Sequence, residues 1–171
     1  ASGSFFRLIR SITKQIGNGM KILVIDDEKP TLSMFKLFLS AYGYDVSTAE
    51  DGEKGLALFN QTSPDIVFTD IKMPGIDGLE VLRRIRKAET NCQVIIITGH
   101  GDMEKALEAL DLDASDFINK PVERAALNSA LLRAEKRSRQ PVPMAFDFTV
   151  KKDGQTVEIQ FGGTLTRRAE D

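Results

Sequence analysis

Chemically reactive side chains follow four short apolar runs of this sequence. They are the carboxylates of Asp26, Asp27, Glu28 and Asp70, the hydroxyl of Thr98 and the ammonium of Lys120. Carboxylates that lie close together raise one another's pKa unless a cation lies among them. Mg²⁺ binds one or two carboxylates together with phosphate oxygens and waters, and a carboxylate beside it can act as a nucleophile. These residue types therefore suit Mg²⁺-assisted phosphoryl chemistry, provided that the fold brings them together.

The apolar runs are predicted to be strands of a parallel sheet. Five segments fit this prediction: Lys21–Ile25, Asp45–Thr48, Asp65–Thr69, Val94–Thr98 and Asp116–Asn119. The first and the fourth contain four consecutive apolar residues, which is typical of strands that are buried on both faces. Ligands of open α/β sheets bind outside the carboxyl ends of the strands. We therefore expect the reactive side chains to converge at that edge of the sheet.

Helical patterns alternate with these strands and predict a doubly wound α/β domain. The apolar positions of the five helices are Leu32, Phe35 and Leu39; Leu56 and Phe59; Leu79, Leu82 and Ile85; Met103, Leu107 and Leu110; and Leu127, Leu131 and Ala134. We expect each set to face the sheet. Pro30 suits the first turn of the first helix, and Asp102 is the candidate N-cap of the fourth.

Composition and charge exclude several classes of protein. The chain has 171 residues, of which 42% are apolar, and a net charge of −2, as expected for a globular domain rather than a disordered chain. Its single cysteine, Cys92, and single histidine, His100, exclude an internal disulfide and a Cys-rich or multi-histidine metal site. The apolar runs are too short to span a membrane, and we expect a reducing cytoplasm. Residues 20–137 carry 15 basic and 20 acidic residues, a poor surface for nucleic acid.

Four stretches of the sequence resemble the receiver domain of two-component response regulators. They are Lys21–Glu28, Asp65–Gly78, Val94–Gly101 and Asp116–Val122, and the resemblance covers about residues 20–137. It implies a flavodoxin-like, five-stranded parallel sheet in the order 2-1-3-4-5, flanked by five helices. It also implies a phosphoacceptor switch rather than an enzyme, with Mg²⁺ as cofactor. The implied phosphoryl donor is a sensor histidine kinase or a phosphotransfer protein.

The same resemblance implies a role for each site residue. Asp70 would accept the phosphoryl group, Lys120 would contact it, and Thr98 and Phe117 would move as the switch. The implied Mg²⁺ ligands are Asp27, Asp70 and the backbone carbonyl of Lys72, with Asp26 acting through a bound water. Gly99 would leave access to the phosphoryl group, and the Lys120–Pro121 bond would be cis.

Two features concern the fourth helix and its surroundings. Asp113-Ala114 replaces the Gly-Ala that the family often has, and Asp tolerates the left-handed conformation that ends a helix there. Lys72 and His100 occupy the positions that tune phosphoryl lifetime in the family. We expect His100 to be a solvated loop residue rather than a catalytic base.

Other functions are weighed against this one. A phosphatase of the haloacid-dehalogenase type needs a second aspartate two residues after its nucleophile, and that position is Lys72. A P-loop nucleotide hydrolase needs the pattern G-x-x-x-x-G-K-[S/T], which the sequence lacks. An interaction module whose acidic edge is never phosphorylated remains an alternative.

The two flanks of the receiver-like segment have patterns of their own. Residues 1–19 predict a basic amphipathic helix with the apolar side chains of Phe5, Leu8, Ile9, Ile12 and Ile16 on one face. We expect that face to contact protein, in cis or in a dimer, rather than a membrane surface. Residues 138–145 are predicted to be a linker.

Residues 146–171 predict a β-hairpin tail or the start of a truncated second domain. A two-residue turn at Asp153-Gly154 gives the pairs Lys152–Gln155, Val150–Val157, Phe148–Ile159 and Phe146–Phe161. The stretch from Val157 to Asp171 faintly resembles the start of a STAS domain, a partner-switching module. Since an isolated hairpin is marginally stable in water, we expect its apolar face to be buried against the N-terminal helix or a second copy of the chain.

Overall fold

The computed structural model describes residues 19–88, 90–99, 101–139, 147–153 and 156–162. The chain divides into two units, Ala1–Gln140 and Pro141–Asp171, and each is described by itself. The strands of the first unit are β1 (Lys21–Ile25), β2 (Asp45–Ala49), β3 (Ile66–Asp70), β4 (Gln93–Thr98) and β5 (Asp116–Asn119). Its helices are α1 (Lys29–Ala41), α2 (Gly52–Thr62), α3 (Gly78–Lys87), α4 (Met103–Asp111) and α5 (Arg124–Ser138). The predicted N-terminal helix lies outside the described residues.

The five strands form one parallel sheet in the order β2-β1-β3-β4-β5, as expected. Its central strands are buried at almost every position because helices cover both faces. The register pairs Ile25 with Thr69, and Asp70 with Ile97. The carboxyl ends of β1, β3 and β4 therefore lie side by side. Among the described residues, no helix is both long and apolar enough to cross a membrane.

Two apolar cores lie on opposite faces of the sheet, since successive strand residues point to opposite sides. One core includes the predicted faces of α1 and α5, and the other includes that of α3 together with Phe59 of α2. In the first of these cores the rings of Phe35 and Phe68 pack with their centroids 5.3 Å apart. Pro30 lies in the first turn of α1, as its fixed φ favours.

Helix α4 buries a different face from the predicted one. Leu107 is 55% exposed and Leu110 40% exposed, whereas Ala106 and Ala109 are buried. Both stripes have helical spacing, so periodicity alone does not distinguish them. The small alanine side chains allow the helix backbone to approach the sheet closely, which leaves the leucines outside. Asp113 has a φ of 66° after the helix, so the left-handed conformation expected at its end is confirmed.

The described residues of the second unit form two antiparallel strands, β6 (Asp147–Asp153) and β7 (Thr156–Gly162). The predicted pairing is wrong, because Lys152 pairs with Val157 and Val150 pairs with Ile159. Asp153 pairs with Thr156, so the connection consists of residues 154 and 155. The observed register is shifted by two residues along β7 from the predicted one.

Candidate functional site

Three aspartates converge at the carboxyl edge of the sheet. Asp26 and Asp27 follow β1 directly, and Asp70 is the last residue of β3. One carboxylate oxygen from each lies within 4.8 Å of the other two. Asp26 and Asp70 are buried, whereas Asp27 is exposed. The sheet register creates this cluster because β1 and β3 are neighbours that end at the same level.

The ammonium of Lys120 lies among these carboxylates. Its Nζ lies 2.9 Å from Asp70 Oδ2, 3.0 Å from Asp26 Oδ2 and 3.4 Å from Glu28 Oε2. The backbone amide of Lys120 donates to the carbonyl of Thr98 at 2.7 Å, and the Lys120–Pro121 peptide bond is cis, as expected. The end of β4 thus fixes the position from which the lysine reaches across to β1 and β3.

Burial and charge pairing raise the pKa values of Asp26 and Lys120 and lower that of Glu28. Burial raises the pKa of Asp26, although a hydrogen bond from the Glu28 amide at 2.8 Å and the ammonium of Lys120 oppose that shift. For Lys120, burial by itself would lower the pKa, but the hydrogen bond with Asp70 and the charges of Asp70 and Asp26 outweigh burial and raise it. The hydroxyl of Thr31, followed by Lys120, lowers the pKa of Glu28. Lys120 therefore stays charged at neutral pH.

The cluster fits a divalent cation such as Mg²⁺. Asp26 Oδ2 is fully buried and accepts no hydrogen bond. It lies 3.0 Å from the Lys120 ammonium, but the geometry of that contact does not suit a hydrogen bond. An oxygen without a hydrogen bond beside two further carboxylates is suited to a hard cation, because Mg²⁺ prefers oxygen ligands. A single ammonium also leaves the charge of three aspartates only partly compensated.

The predicted switch residues lie on β4 and β5. Thr98 is buried, and its Oγ1 donates to the carbonyl of Gly99 at 3.2 Å rather than to Asp70. Phe117 is half-buried and packs against one of the two cores. It pairs with Ile96 across the sheet. His100 lies outside the described residues.

Comparison with known proteins decides the family. The family model described as the response regulator receiver domain matches residues 22–132. The chain belongs to this family. Two solved structures have the same fold. A response regulator receiver domain protein from Clostridium thermocellum is 40% identical, with a TM-score of 0.67, and the match covers 70% of this chain and 97% of that chain. FixJ-N is 33% identical, with a TM-score of 0.64, and the match covers 73% of this chain and 98% of that chain.

Two longer regulatory proteins are similar to this chain over part of their length. The transcriptional regulatory protein TrcR of Mycobacterium tuberculosis is 31% identical over 154 residues, which cover 86% of this chain and 59% of that protein. The regulatory protein AtoC of Escherichia coli is 36% identical over 114 residues, which cover 67% of this chain and 25% of that protein. This chain therefore spans less than two thirds of either regulator.

The receiver site contains an ion pair that sequence analysis missed. The side chain of Lys72 lies 2.7 Å from a carboxylate oxygen of Asp102. Asp102 occupies the N-cap position of α4, as predicted, but its side chain makes no capping hydrogen bond. The predicted N-cap position is thus confirmed, while the carboxylate pairs with Lys72 rather than with the first turn of the helix. The sequence did contain a hint of this ion pair, because Lys72 and Asp102 follow two strands that end at the same edge of the sheet.

Gly78, the first residue of α3, packs against the backbone of Asp70. A Cβ at this position would lie 2.1 Å from the backbone oxygen of Asp70, which is far inside van der Waals contact. The Gly78 amide donates to the carbonyl of Ile71 at 3.0 Å. The first turn of α3 therefore packs directly against the backbone that carries Asp70, and only glycine leaves the required space.

Proposed function

We propose that this receiver accepts a phosphoryl group on Asp70 and acts as a signalling switch. The observation that carries the proposal is the Asp70 carboxylate beside Asp26 and Asp27, with the Lys120 ammonium 2.9 Å away. In the reaction, a carboxylate oxygen of Asp70 forms a bond to phosphorus as the nitrogen–phosphorus bond of a phosphohistidine breaks. The leaving imidazole keeps the electron pair of that bond and takes up a proton. The donor is a sensor histidine kinase or a phosphotransfer protein.

Each neighbour of Asp70 has a defined role in this proposal. Asp27, Asp70 and the backbone carbonyl of Lys72 would hold Mg²⁺, with Asp26 contributing through a bound water. The bound ion would supply positive charge that offsets the carboxylates and the incoming phosphoryl oxygens. Lys120 supplies a further positive charge from a flexible side chain, which suits a group that arrives and leaves. The raised pKa of Lys120 supports this role, because it keeps the ammonium protonated.

The switch consists of Thr98 and Phe117. The hydroxyl of Thr98 donates to a neighbouring carbonyl, a local bond that it can exchange for one to a phosphoryl oxygen. Half-buried Phe117, which packs against one of the two cores, would rotate inward once Thr98 has moved. Binding of the phosphoryl group would favour this second arrangement and so change the surface of α4, β5 and α5. The protein would thus be a switch, with only self-phosphorylation and slow autodephosphorylation as reactions of its own.

Receiver domains of response regulators interact with histidine kinases and output domains, and we assign the parts of this chain accordingly. Residues 20–137 are the receiver, residues 138–145 are a linker whose first residue, Ser138, is also the last residue of α5, and residues 146–171 are a hairpin tail or part of a second domain. The hairpin and residues 1–19 would support a homodimer, which light scattering tests. The free, buried thiol of Cys92 supports a cytoplasmic location. The acidic charge of the receiver argues against nucleic-acid binding by that unit.

Phosphoryl uptake tests the function directly. The purified chain is incubated with a small phosphodonor and Mg²⁺, and acid-labile phosphate is measured on the protein. Asp70→Asn should abolish uptake, whereas Asp111→Asn, which alters an exposed aspartate at the end of α4, should leave it unchanged. Asp27→Ala should weaken Mg²⁺ binding. Undiminished labelling of Asp70→Asn would contradict the assignment, and a wild type that takes up no label would favour a phosphorylation-independent module.

A further inference from the structure

An ion pair joins the two connections that follow β3 and β4. Lys72 lies two residues after Asp70, Asp102 lies four residues after Thr98, and Lys72 Nζ is 2.7 Å from Asp102 Oδ1. The side chain of Asp102 is only 7% exposed, whereas that of Lys72 is 63% exposed. A carboxylate that is so deeply buried needs a compensating partner, and the Lys72 ammonium provides it.

Asp102 does not make the hydrogen bond that aspartate usually makes at the start of a helix. It occupies the N-cap position of α4, yet its side chain accepts nothing from the helix. Asp51 and Asp77 occupy the same position in α2 and α3, and both accept a hydrogen bond from an amide of the first turn, at 2.8 and 2.9 Å. Asp102 thus has two alternative partners, Lys72 and the first turn of α4, and this structure shows the first.

The carboxylate of Asp102 also lies against the residue that follows Thr98. A Cβ added to Gly99 would lie 3.3 Å from Asp102 Oδ2, and the Asp102 amide donates to the Gly99 carbonyl at 3.4 Å. The Thr98 hydroxyl donates to that same carbonyl. Because Thr98 and Asp102 both donate to the Gly99 carbonyl, movement of Thr98 toward Asp70 would disturb the position of Asp102.

We propose that the Lys72–Asp102 ion pair is a latch that holds the connection between β4 and α4 in the unphosphorylated arrangement. Asp102 is then a positioning residue that sets how readily Thr98 moves toward Asp70. When the latch opens, the carboxylate caps α4 and the Lys72 ammonium is released at the rim of the site. This inference rests on the proposed roles of Asp70 and Thr98.

The first test measures the rate of phosphoryl uptake from a small phosphodonor with Mg²⁺. Asp102→Asn removes the charge but keeps a side chain that can cap the helix, so uptake should become about fivefold faster. Glu104→Gln removes an exposed charge from the same turn of α4 and should have no effect. In the Lys72→Met background, Asp102→Asn should add nothing further, since the latch is already open. An unchanged rate in Asp102→Asn, or additive effects of the two changes, would overturn the latch.

The second test needs no phosphoryl group. Amide hydrogen exchange of the unphosphorylated chain is measured for the connection between β4 and α4. Lys72→Met, Asp102→Asn and the double variant should raise the exchange rate by the same factor, while Glu104→Gln should leave it at the wild-type rate. Unaltered exchange in both single variants would refute the latch. If the wild type takes up no phosphoryl group, the proposed function fails and this measurement alone decides the latch.

Discussion

Lys120→Met should destabilise the receiver through the carboxylates that it leaves behind. In the wild type, the Lys120 ammonium lies within 3.0 Å of Asp26 and Asp70, whose side chains are 0% and 8% exposed. Methionine keeps much of the volume of the lysine side chain but removes its charge and its hydrogen bonds. Two buried carboxylates then face each other with no cation between them, which is costly because the interior solvates charge poorly.

The size of the effect follows from the burial of these groups. Removing one partner of a buried ion pair costs about 3–5 kcal/mol of unfolding free energy. The lower end, about 3 kcal/mol, applies because the Lys120 side chain is 23% exposed and so only partly removed from solvent. Glu28 adds little to this value, since its side chain is 61% exposed. Lys36→Met, at an exposed position of α1, should change the free energy of unfolding by less than about 0.5 kcal/mol.

The destabilisation should depend on pH, and its sign follows from Asp26. Burial already raises the pKa of Asp26 in the folded chain, and loss of the Lys120 ammonium removes interactions that lower it. A carboxyl group whose folded pKa is raised stabilises the fold fully below its unfolded pKa, and this stability is lost as the pH rises through the folded pKa. The deficit of Lys120→Met should therefore be smallest near the ordinary aspartate pKa of about 4 and grow toward neutral pH.

Urea unfolding of wild type, Lys120→Met and Lys36→Met at acidic and neutral pH measures these differences. Millimolar Mg²⁺ should reduce the deficit at neutral pH, because the carboxylates bind a cation more tightly once the Lys120 ammonium is gone, and tighter binding to the folded state stabilises the variant more than the wild type. A deficit below about 0.5 kcal/mol at neutral pH, or one of equal size at about pH 4, would refute the electrostatic reasoning.

Three further predictions concern packing and access. Gly78→Ala should destabilise the receiver by more than about 2 kcal/mol and impair phosphoryl uptake, since its Cβ would overlap the backbone oxygen of Asp70; urea unfolding together with the labelling assay checks this. Ala106→Glu should unfold the receiver because it buries a charge, whereas Leu107→Glu should leave the melting temperature nearly unchanged. A larger loss of melting temperature in Leu107→Glu than in Ala106→Glu would mean that α4 buries the leucine face. Burial raises the pKa of the Cys92 thiol to about 12, so a thiol reagent should label it only as the chain unfolds, and rapid labelling of the native chain would contradict this.

Local patterns of the sequence predict the strands and most helix faces. Runs of consecutive apolar residues mark strands that are buried on both sides, and the order of strands and helices along the chain restricts the sheet to few topologies. The reactive residues could be identified in advance because they follow these runs directly. Asp26, Asp70 and Lys120 are therefore found together once the strands are placed side by side.

Other features depend on distances that no local pattern contains. The buried face of α4 is decided by how closely the helix approaches the sheet, and Ala106 permits a closer approach than Leu107. The partner of Asp102 is decided by the level at which β3 and β4 end, which brings Lys72 within 2.7 Å across thirty positions of sequence. The hairpin register depends on which two residues form the connection, and two alternating strands satisfy either choice. The sequence by itself thus determined the strands, the family and the reactive groups of this protein, whereas the tertiary structure decided the contacts between elements, because those contacts depend on three-dimensional packing rather than on periodicity.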